Sequence, residues 1–221
     1  MGEAKRRKKR VWPLRKVAGI AVRVMIFAVC ILAVVDFIAR RNVSVLDNPD
    51  PLRAVGDPQA PVRIIQFVDF QNPEVSRGAK VLGRFLIKHR QDMYVVTRYY
   101  FTPDRNSLIS ALHAECASRQ GLFWPYYEEL LLKQQQWRTL RDAGPYLTLL
   151  ARNMSADMEM FTACVGDIEV KQAVEEDTRL GESHGIHSVP TYFVNDRRIS
   201  GVDELEKYLS EYFENKRLGL L

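Results

Sequence analysis

The sequence is poor in cysteine and histidine, the residues that carry much of the redox and metal chemistry of proteins. It has three cysteines and four histidines among 221 residues, and no two cysteines have the C-x-x-C spacing of a redox motif. His184 and His187 lie three residues apart, but no cluster of cysteine or histidine lies near them in the sequence. Solvated histidines at a helix end are the simpler interpretation. We therefore expect no metal site and no cofactor.

Internal repeats, low-complexity tracts and extremes of composition are also absent. Hydrophobic residues make up 47% of the chain and charged residues 27%, which are ordinary proportions for a globular protein. This balance excludes disordered and collagen-like chains. The length allows one well-packed domain with a short extension.

The positive charge of the chain is confined to its beginning. The net charge is +5, with a pI near 9.1. Eleven of the 32 basic residues but only two of the 27 acidic residues, Glu3 and Asp36, lie in the first 41 positions. The remaining 180 positions therefore hold 21 basic and 25 acidic residues. A domain without excess positive charge has little with which to build a basic face for nucleic acid, so we expect no nucleic-acid partner.

The basic N-terminal segment is followed by an apolar stretch. Residues 5–10 are all Lys or Arg, and residues 17–39 are apolar apart from Arg23 and Asp36. A helix of this length would extend about 35 Å, enough to cross a hydrocarbon core of about 30 Å. Positive charge before the span predicts a cytoplasmic tail at 1–16 and a transmembrane signal-anchor helix at 17–39. A cleaved signal peptide is the rival interpretation, but no convincing small-residue cleavage site follows the stretch.

Two charged residues lie inside this predicted span, where charge is costly. We favour the interpretation that Arg23 reaches the cytoplasmic headgroups and that Asp36 lies at the outer boundary. The alternative hypothesis is that Arg23 or Asp36 pairs with an opposite charge on another membrane subunit.

A linker is predicted at 40–59, because periodicity is lost there and Asn, Asp, Pro and Gly accumulate. The predicted domain covers 60–215 and is followed by a short tail at 216–221. Val62–Val68 has the composition of a buried strand. An amphipathic helix follows as far as Arg90, with Asn72 as its N-cap and Pro73 at its first turn. A second strand is predicted at 93–101, which gives a right-handed parallel unit and an α/β domain.

The middle of the domain, about 106–184, is predicted to be a helical insertion interrupted by turn signals. Strand character returns at 189–194, where Asn195-Asp196 predicts a tight hairpin turn. A final helix is predicted at 203–213. No internal repeat accounts for this order of elements.

Several stretches in this order resemble the thioredoxin-like fold in its DsbA-like form. Residues 56–62 resemble the approach to the first strand of that family. Residues 114–117 with 120–124 resemble its insertion helices, and residues 185–195 resemble its cis-proline hairpin. The resemblance covers about 56–214 and implies a thioredoxin-like domain with a helical insertion, preceded here by the transmembrane helix.

The resemblance also places the family's active site, and this sequence departs from it. The family has D-[FY]-x-C-P-x-C after its first strand, whereas this chain has Asp69-Phe70-Gln71 and then Asn72-Pro73-Glu74-Val75. Asn72 and Val75 occupy the two cysteine positions. Thiol-disulfide exchange needs an attacking thiolate and a resolving thiol, which an amide and an isopropyl group do not supply. We predict no catalytic residue at this site.

The resemblance further implies a cis peptide bond at Val189-Pro190 beside the helix start. The backbone of Ser188, Val189, Pro190 and Thr191 is then a candidate site for an extended peptide, bound by strand addition without a thiol. The alternative is a purely structural proline in a hairpin, and the sequence leaves both open.

Cys116 and Cys164 both lie in the predicted extracytoplasmic part, where disulfides are permitted. We predict a structural disulfide between them, which would stabilise the fold by about 4 kcal/mol through loop closure. A relocated redox pair is the alternative.

The sequence as a whole predicts a protein- or peptide-binding scaffold subunit of a membrane or envelope complex. We expect it in the bacterial inner membrane, with its globular domain in the periplasm. A thiol-disulfide oxidoreductase that uses Cys116 and Cys164 or a catalytic partner is one alternative, and a holdase chaperone is another.

Overall fold

The computed structural model describes Met25, Phe27, Val29, Ile31, residues 50–195 and residues 197–220. Residues 1–44 and residues 45–221 each form a compact unit. In the first unit, the four described residues are helical and exposed. The basic tail, Arg23, Asp36 and the rest of the predicted span lie outside the described residues. Within the described part of the chain, no helix is long and apolar enough to cross a bilayer.

A five-stranded mixed sheet organises the second unit. Its strands are β1 (Ala54–Gly56), β2 (Val62–Val68), β3 (Met93–Tyr99), β4 (Thr191–Val194) and β5 (Arg197–Ser200), in the spatial order β1-β3-β2-β4-β5. The pairing of β2 with β3 is parallel, and the other three pairings are antiparallel. The central strand β2 buries nearly every side chain, as its run of apolar residues predicts.

The helices follow in chain order. They are α1 (Pro73–His89), α2 (Arg105–Ser118), α3 (Phe123–Leu132), α4 (Gln134–Trp137), α5 (Gly144–Asn153), α6 (Met158–Val165), α7 (Ile168–Ser183) and α8 (Val202–Arg217). Helices α2 to α7 form the helical insertion between β3 and β4. The predicted α/β fold with a helical insertion is therefore confirmed.

Part of the predicted linker belongs to the sheet instead. Pro51–Arg53 form a 3-10 turn, and β1 pairs with β3 at the sheet edge. Asp50 caps the turn by accepting a hydrogen bond from Leu52 N at 2.9 Å. The sequence prediction of a linker at 40–59 was wrong for this stretch, because turn residues surround a strand of only three residues. Such a strand is too short to show an alternating pattern.

Three groups of buried side chains hold the second unit together. Helices α1 and α8 pack on one face of the sheet around Leu82, Tyr192 and Leu205. A second, smaller group includes Phe67 and Ile186. The largest group fills the helical insertion and extends to Val68 and Tyr99 on the central strands. All three groups lie between residues 60 and 213, so residues 45–221 have a complete core of their own.

The predicted element ends differ slightly from the observed ones. β3 ends at Tyr99 and not at residue 101, while the last helix extends from Val202 to Arg217 and takes in the start of the predicted tail. In the β4–β5 hairpin, Val194 pairs with Arg197, and Asn195 adopts a positive φ of 53°. The predicted turn partner Asp196 lies outside the described residues.

Candidate functional site

The candidate site forms where β2 ends and α1 begins. The connecting loop turns tightly, because Asn72 N donates to Asp69 O and Gln71 N donates to Asp69 Oδ1, both at 2.9 Å. Asp69 is buried, and its other carboxylate oxygen accepts hydrogen bonds from Thr102 and Ser107. Asp69 thus fixes the loop in front of the helix, and both of its carboxylate oxygens are used in these hydrogen bonds.

Asn72 joins the two halves of this site. Its Oδ1 accepts from Glu74 N at 2.9 Å, which caps α1 as predicted. Its Nδ2 donates to the carbonyl oxygen of Val189 at 2.8 Å. Val189 precedes Pro190, and the peptide bond between them is cis, as predicted. The amide of Asn72 therefore bridges the start of the helix and the cis-proline loop.

The other three residues at the family's active-site positions, which follow Asn72, have structural roles. Pro73 and Glu74 are exposed, while Val75 is buried in the core of the helical insertion. Glu74 forms an ion pair with Arg77, which also contacts Asp203. The hydrogen bond from Arg77 lowers the pKa of Asp203 below its ordinary value. These exposed pairs tie the first turn of α1 to α8, and neither cysteine position holds a nucleophile.

The predicted peptide-binding residues form the cis-proline loop. Thr191 Oγ1 donates to Ser188 O at 2.7 Å, and Gly201 N donates to Pro190 O at 3.1 Å. Since Asn72 donates to Val189 O, three successive carbonyls already accept hydrogen bonds from within the chain. A peptide added here by strand pairing would compete with Asn72 for the Val189 carbonyl.

Gln134 is a site residue that the sequence analysis missed. Its side chain is buried, and its Nε2 donates to Phe70 O at 2.7 Å and to Asn72 O at 2.9 Å. The short helix α4 thereby holds the loop before α1 from the side of the helical insertion. Gln134 stands first in a run of three glutamines, and nothing in that run distinguishes the buried one.

Cys116 and Cys164 form the predicted disulfide. They link the last turns of α2 and α6, with the two Cα atoms 5.8 Å apart. Cys116 is fully buried, and Cys164 is partly buried. Neither cysteine lies at a helix N-terminus, where the positive end of the dipole lowers a thiol pKa.

A buried group of charges, also missed, fastens the first strand to the helical insertion. Arg53 lies 2.5 Å from Asp177 and 3.6 Å from Glu115, with its guanidinium over the ring of Tyr99. Burial raises the pKa of Glu115 above its ordinary value, although the attraction of Arg53 opposes this. Asp177 also accepts from Tyr99 N at 3.1 Å. The group holds the turn before β1, helix α2 and helix α7 against one another.

The two histidines singled out in the sequence are not brought together with other metal ligands. His184 ends α7, with its Nδ1 2.9 Å from Leu180 O, and its ring packs against Phe193. His187 is exposed. Across residues 50–195 and 197–220, no group of three or more His, Cys, Asp or Glu side chains is arranged to hold a metal ion.

The fold agrees with the comparison to known families. A family model described as "Thioredoxin" matches residues 48–211, about three quarters of the chain. The chain belongs to the thioredoxin family. Among solved structures, alpha-DsbA1 from Wolbachia pipientis is similar, with a TM-score of 0.66 and 19% identity, over 82% of this chain and 99% of that one. Oxidised BdbD from Bacillus subtilis gives a TM-score of 0.64 and 21% identity, over 72% and 91% of the two chains. The fold of the chain is therefore similar to that of alpha-DsbA1 and BdbD.

Two kinds of curated protein have similar sequences. A probable disulfide bond formation protein D of Bacillus anthracis is 21% identical, over 72% of this chain and 77% of that protein. The Na(+)/H(+) antiporter NhaA 3 of Salinispora tropica is 26% identical over 175 residues, which is 77% of this chain. The matched part is 26% of the antiporter, so the chain spans about a quarter of that relative's length.

Proposed function

We propose that this protein is a membrane-anchored, extracytoplasmic thioredoxin-fold protein that is redox-inactive at the family's usual site. It works as a protein- or peptide-binding subunit of a membrane or envelope complex. The observation that carries the proposal is the position of Asn72. Its side-chain amide forms one hydrogen bond with the first turn of α1 and another with the carbonyl of Val189.

The chemistry of this position supports a loss of catalysis without a loss of fold. A thiolate at the start of α1 would attack a disulfide, and a thiol at position 75 would resolve the mixed intermediate. Asn72 instead satisfies the helix N-terminus as a cap, and Val75 contributes a buried hydrocarbon to the core. Both side chains thus serve the structure.

Membrane attachment rests on the sequence of the N-terminal segment. The basic residues at 5–10 and the apolar stretch at 17–39 support an anchor with a cytoplasmic N-terminus. The similarity to part of a Na(+)/H(+) antiporter supports a place beside membrane proteins. The disulfide supports an oxidising compartment, the periplasm, for the domain.

A second candidate is a thiol-disulfide oxidoreductase that uses Cys116 and Cys164. The partial exposure of Cys164 favours it, because an attacking thiolate must reach a sulfur of the bond. The full burial of Cys116 and the absence of a helix N-terminus at either cysteine favour the structural role.

An insulin-reduction assay on residues 45–221 separates the two candidates. We expect no turnover above background for the wild-type domain or for Cys116→Ser with Cys164→Ser. We expect turnover for Asn72→Cys with Val75→Cys, because this variant returns sulfur to both positions at the start of α1. Turnover by the wild-type domain that is lost with Cys116 and Cys164 would establish the oxidoreductase instead.

Topology can be tested separately in cells. A reporter that is active only outside the cytoplasm, fused after Leu221, should be active, whereas the same reporter fused before Met1 of the full chain should be silent. An active fusion before Met1 would refute the proposed orientation.

A further inference from the structure

An apolar groove runs between α1 and α3. Its volume is about 880 Å³. Ala79, Gly83 and Leu86 of α1 form one wall, and Trp124, Tyr127 and Leu131 of α3 form the other. The wall residues recur at steps of three or four, so each helix presents one continuous row to the groove. The gap therefore extends along both helices.

The apolar surface continues out of the groove onto its rim. Ile87 is 86% exposed and Leu132 is 77% exposed, and both line the groove. Residues of this size that are left in water along a groove are typical of a surface that another molecule covers. A volume of 880 Å³ alone would also suit a small ligand. A ligand confined to the floor of the groove would nevertheless leave most of the Ile87 and Leu132 side chains in water.

The charged residues of the groove differ between its two sides. Lys80 and Arg90 lie on the α1 side, ten residues or about 15 Å apart along the helix direction. Glu128 lies on the α3 side. Within residues 50–195 and 197–220, neither Lys80 nor Arg90 forms an ion pair. The α1 side therefore offers two unneutralised positive charges to an occupant.

We propose that this groove binds an amphipathic helix of a partner protein. The apolar stripe of that helix lies between α1 and α3, and acidic residues along one edge face Lys80 and Arg90. Helix-in-groove binding of this kind uses anchors at helical spacing and buries the apolar rim. The inference rests on the proposed function as a binding subunit and deepens it by naming the class of partner.

The test uses residues 45–221 and two synthetic 18-residue helical peptides labelled with fluorescein. Both carry the same leucine stripe, and one has glutamates along one edge where the other has lysines. We expect fluorescence anisotropy to show about tenfold tighter binding of the glutamate peptide, since each of two exposed charge pairs changes from attraction to repulsion in the lysine peptide. Lys80→Glu with Arg90→Glu should reverse that preference.

Two further variants locate the binding surface. Ile87→Glu should weaken binding of the glutamate peptide at least about tenfold, because it places a charge in the apolar contact. Ile168→Glu is the matched control, since Ile168 is 62% exposed on α7 and does not line the groove. Both positions are exposed, so both variants should fold.

Several results would overturn the proposal. These are equal affinity for the two peptides, or equal losses from Ile87→Glu and Ile168→Glu. Saturable binding of laurate without peptide binding would assign the groove to a small amphiphile. Self-association that Ile87→Glu abolishes would assign it to a second copy of the chain. None of these results affects the insulin assay, so failure here is distinguishable from failure of the proposed loss of redox activity.

Discussion

The Asn72 side chain forms two hydrogen bonds, and substitutions can separate what each contributes to the free energy of unfolding. The sum of the two contributions can also be predicted. Asn72→Ala removes the cap on Glu74 N and the donor to Val189 O. Loss of an N-cap costs about 1 kcal/mol, and loss of the amide–carbonyl hydrogen bond costs about another 1 kcal/mol. The free energy of unfolding should therefore fall by about 2 kcal/mol.

Asn72→Ser separates the two contributions, because a serine hydroxyl caps α1 but is too short to reach the Val189 carbonyl. The expected loss is then about 1 kcal/mol. For a domain of this size, the Tm should fall by about 2–4 °C for the serine variant and about 4–8 °C for the alanine variant. Urea unfolding of residues 45–221, followed by circular dichroism, measures both differences.

The matched control is Asn215→Ala, at an exposed position in the last turns of α8. A surface change of this kind should alter stability by about 0.5 kcal/mol or less. If Asn72→Ser unfolds at the same urea concentration as the wild type, the bond to Val189 contributes nothing. The Asn72 amide would then not hold the cis-proline loop against the start of α1.

Three further predictions follow from the fold. Gly78→Ala should destabilise the domain by about 2 kcal/mol, because the Cβ of the new alanine would lie 2.1 Å from the hydroxyl of the buried Tyr192. Gly83→Ala on the same helix is the control. Its Cβ would meet no atom within 4 Å, so this variant should stabilise the domain by about 1 kcal/mol. Reduction of the disulfide should lower the free energy of unfolding by about 4 kcal/mol, measured by urea unfolding with and without dithiothreitol. The pKa of Glu115 is raised in the folded state, so the folded state binds the Glu115 proton more tightly than the unfolded state does. The contribution of Glu115 to the free energy of unfolding should therefore fall as pH rises from about 4.5 through the pKa of the folded state. Glu115→Gln should therefore change the slope of the free energy of unfolding against pH in that range. An unchanged slope would contradict the raised pKa of Glu115.

Local sequence signals predicted the central elements of the fold. The apolar run of β2 and the Asn72-Pro73 start of α1 are each explained by neighbours within a few residues. The cap on Glu74 was predicted for the same reason, because the N-cap rule concerns residues two or three apart. The cis peptide bond and the position of the degenerate site came from the family resemblance and not from periodicity.

The missed features depend on residues that are distant in the sequence. Asn72 donates to a carbonyl 117 positions away, and Arg53 forms its ion pair with a residue 124 positions away. Arg53 also lies in a turn of the kind that is typical of linkers, and the residues that pair with it, Glu115 and Asp177, are far away in the sequence. The buried role of Gln134 is similarly invisible, since its two acceptors lie more than 60 residues before it.

The start of α1 and the rim of the groove between α1 and α3 differ in how far the structure alone explains their residues. Asn72 and Val75 stabilise the helix and the core, so selection for folding suffices to account for them. Ile87 and Leu132 contribute little to folding, because most of each side chain remains in water. Exposed residues of this kind increase the tendency to aggregate, and the fold gives no reason for them to be apolar. A function that has left the thiol positions is therefore better sought along the groove between α1 and α3 than at the start of α1.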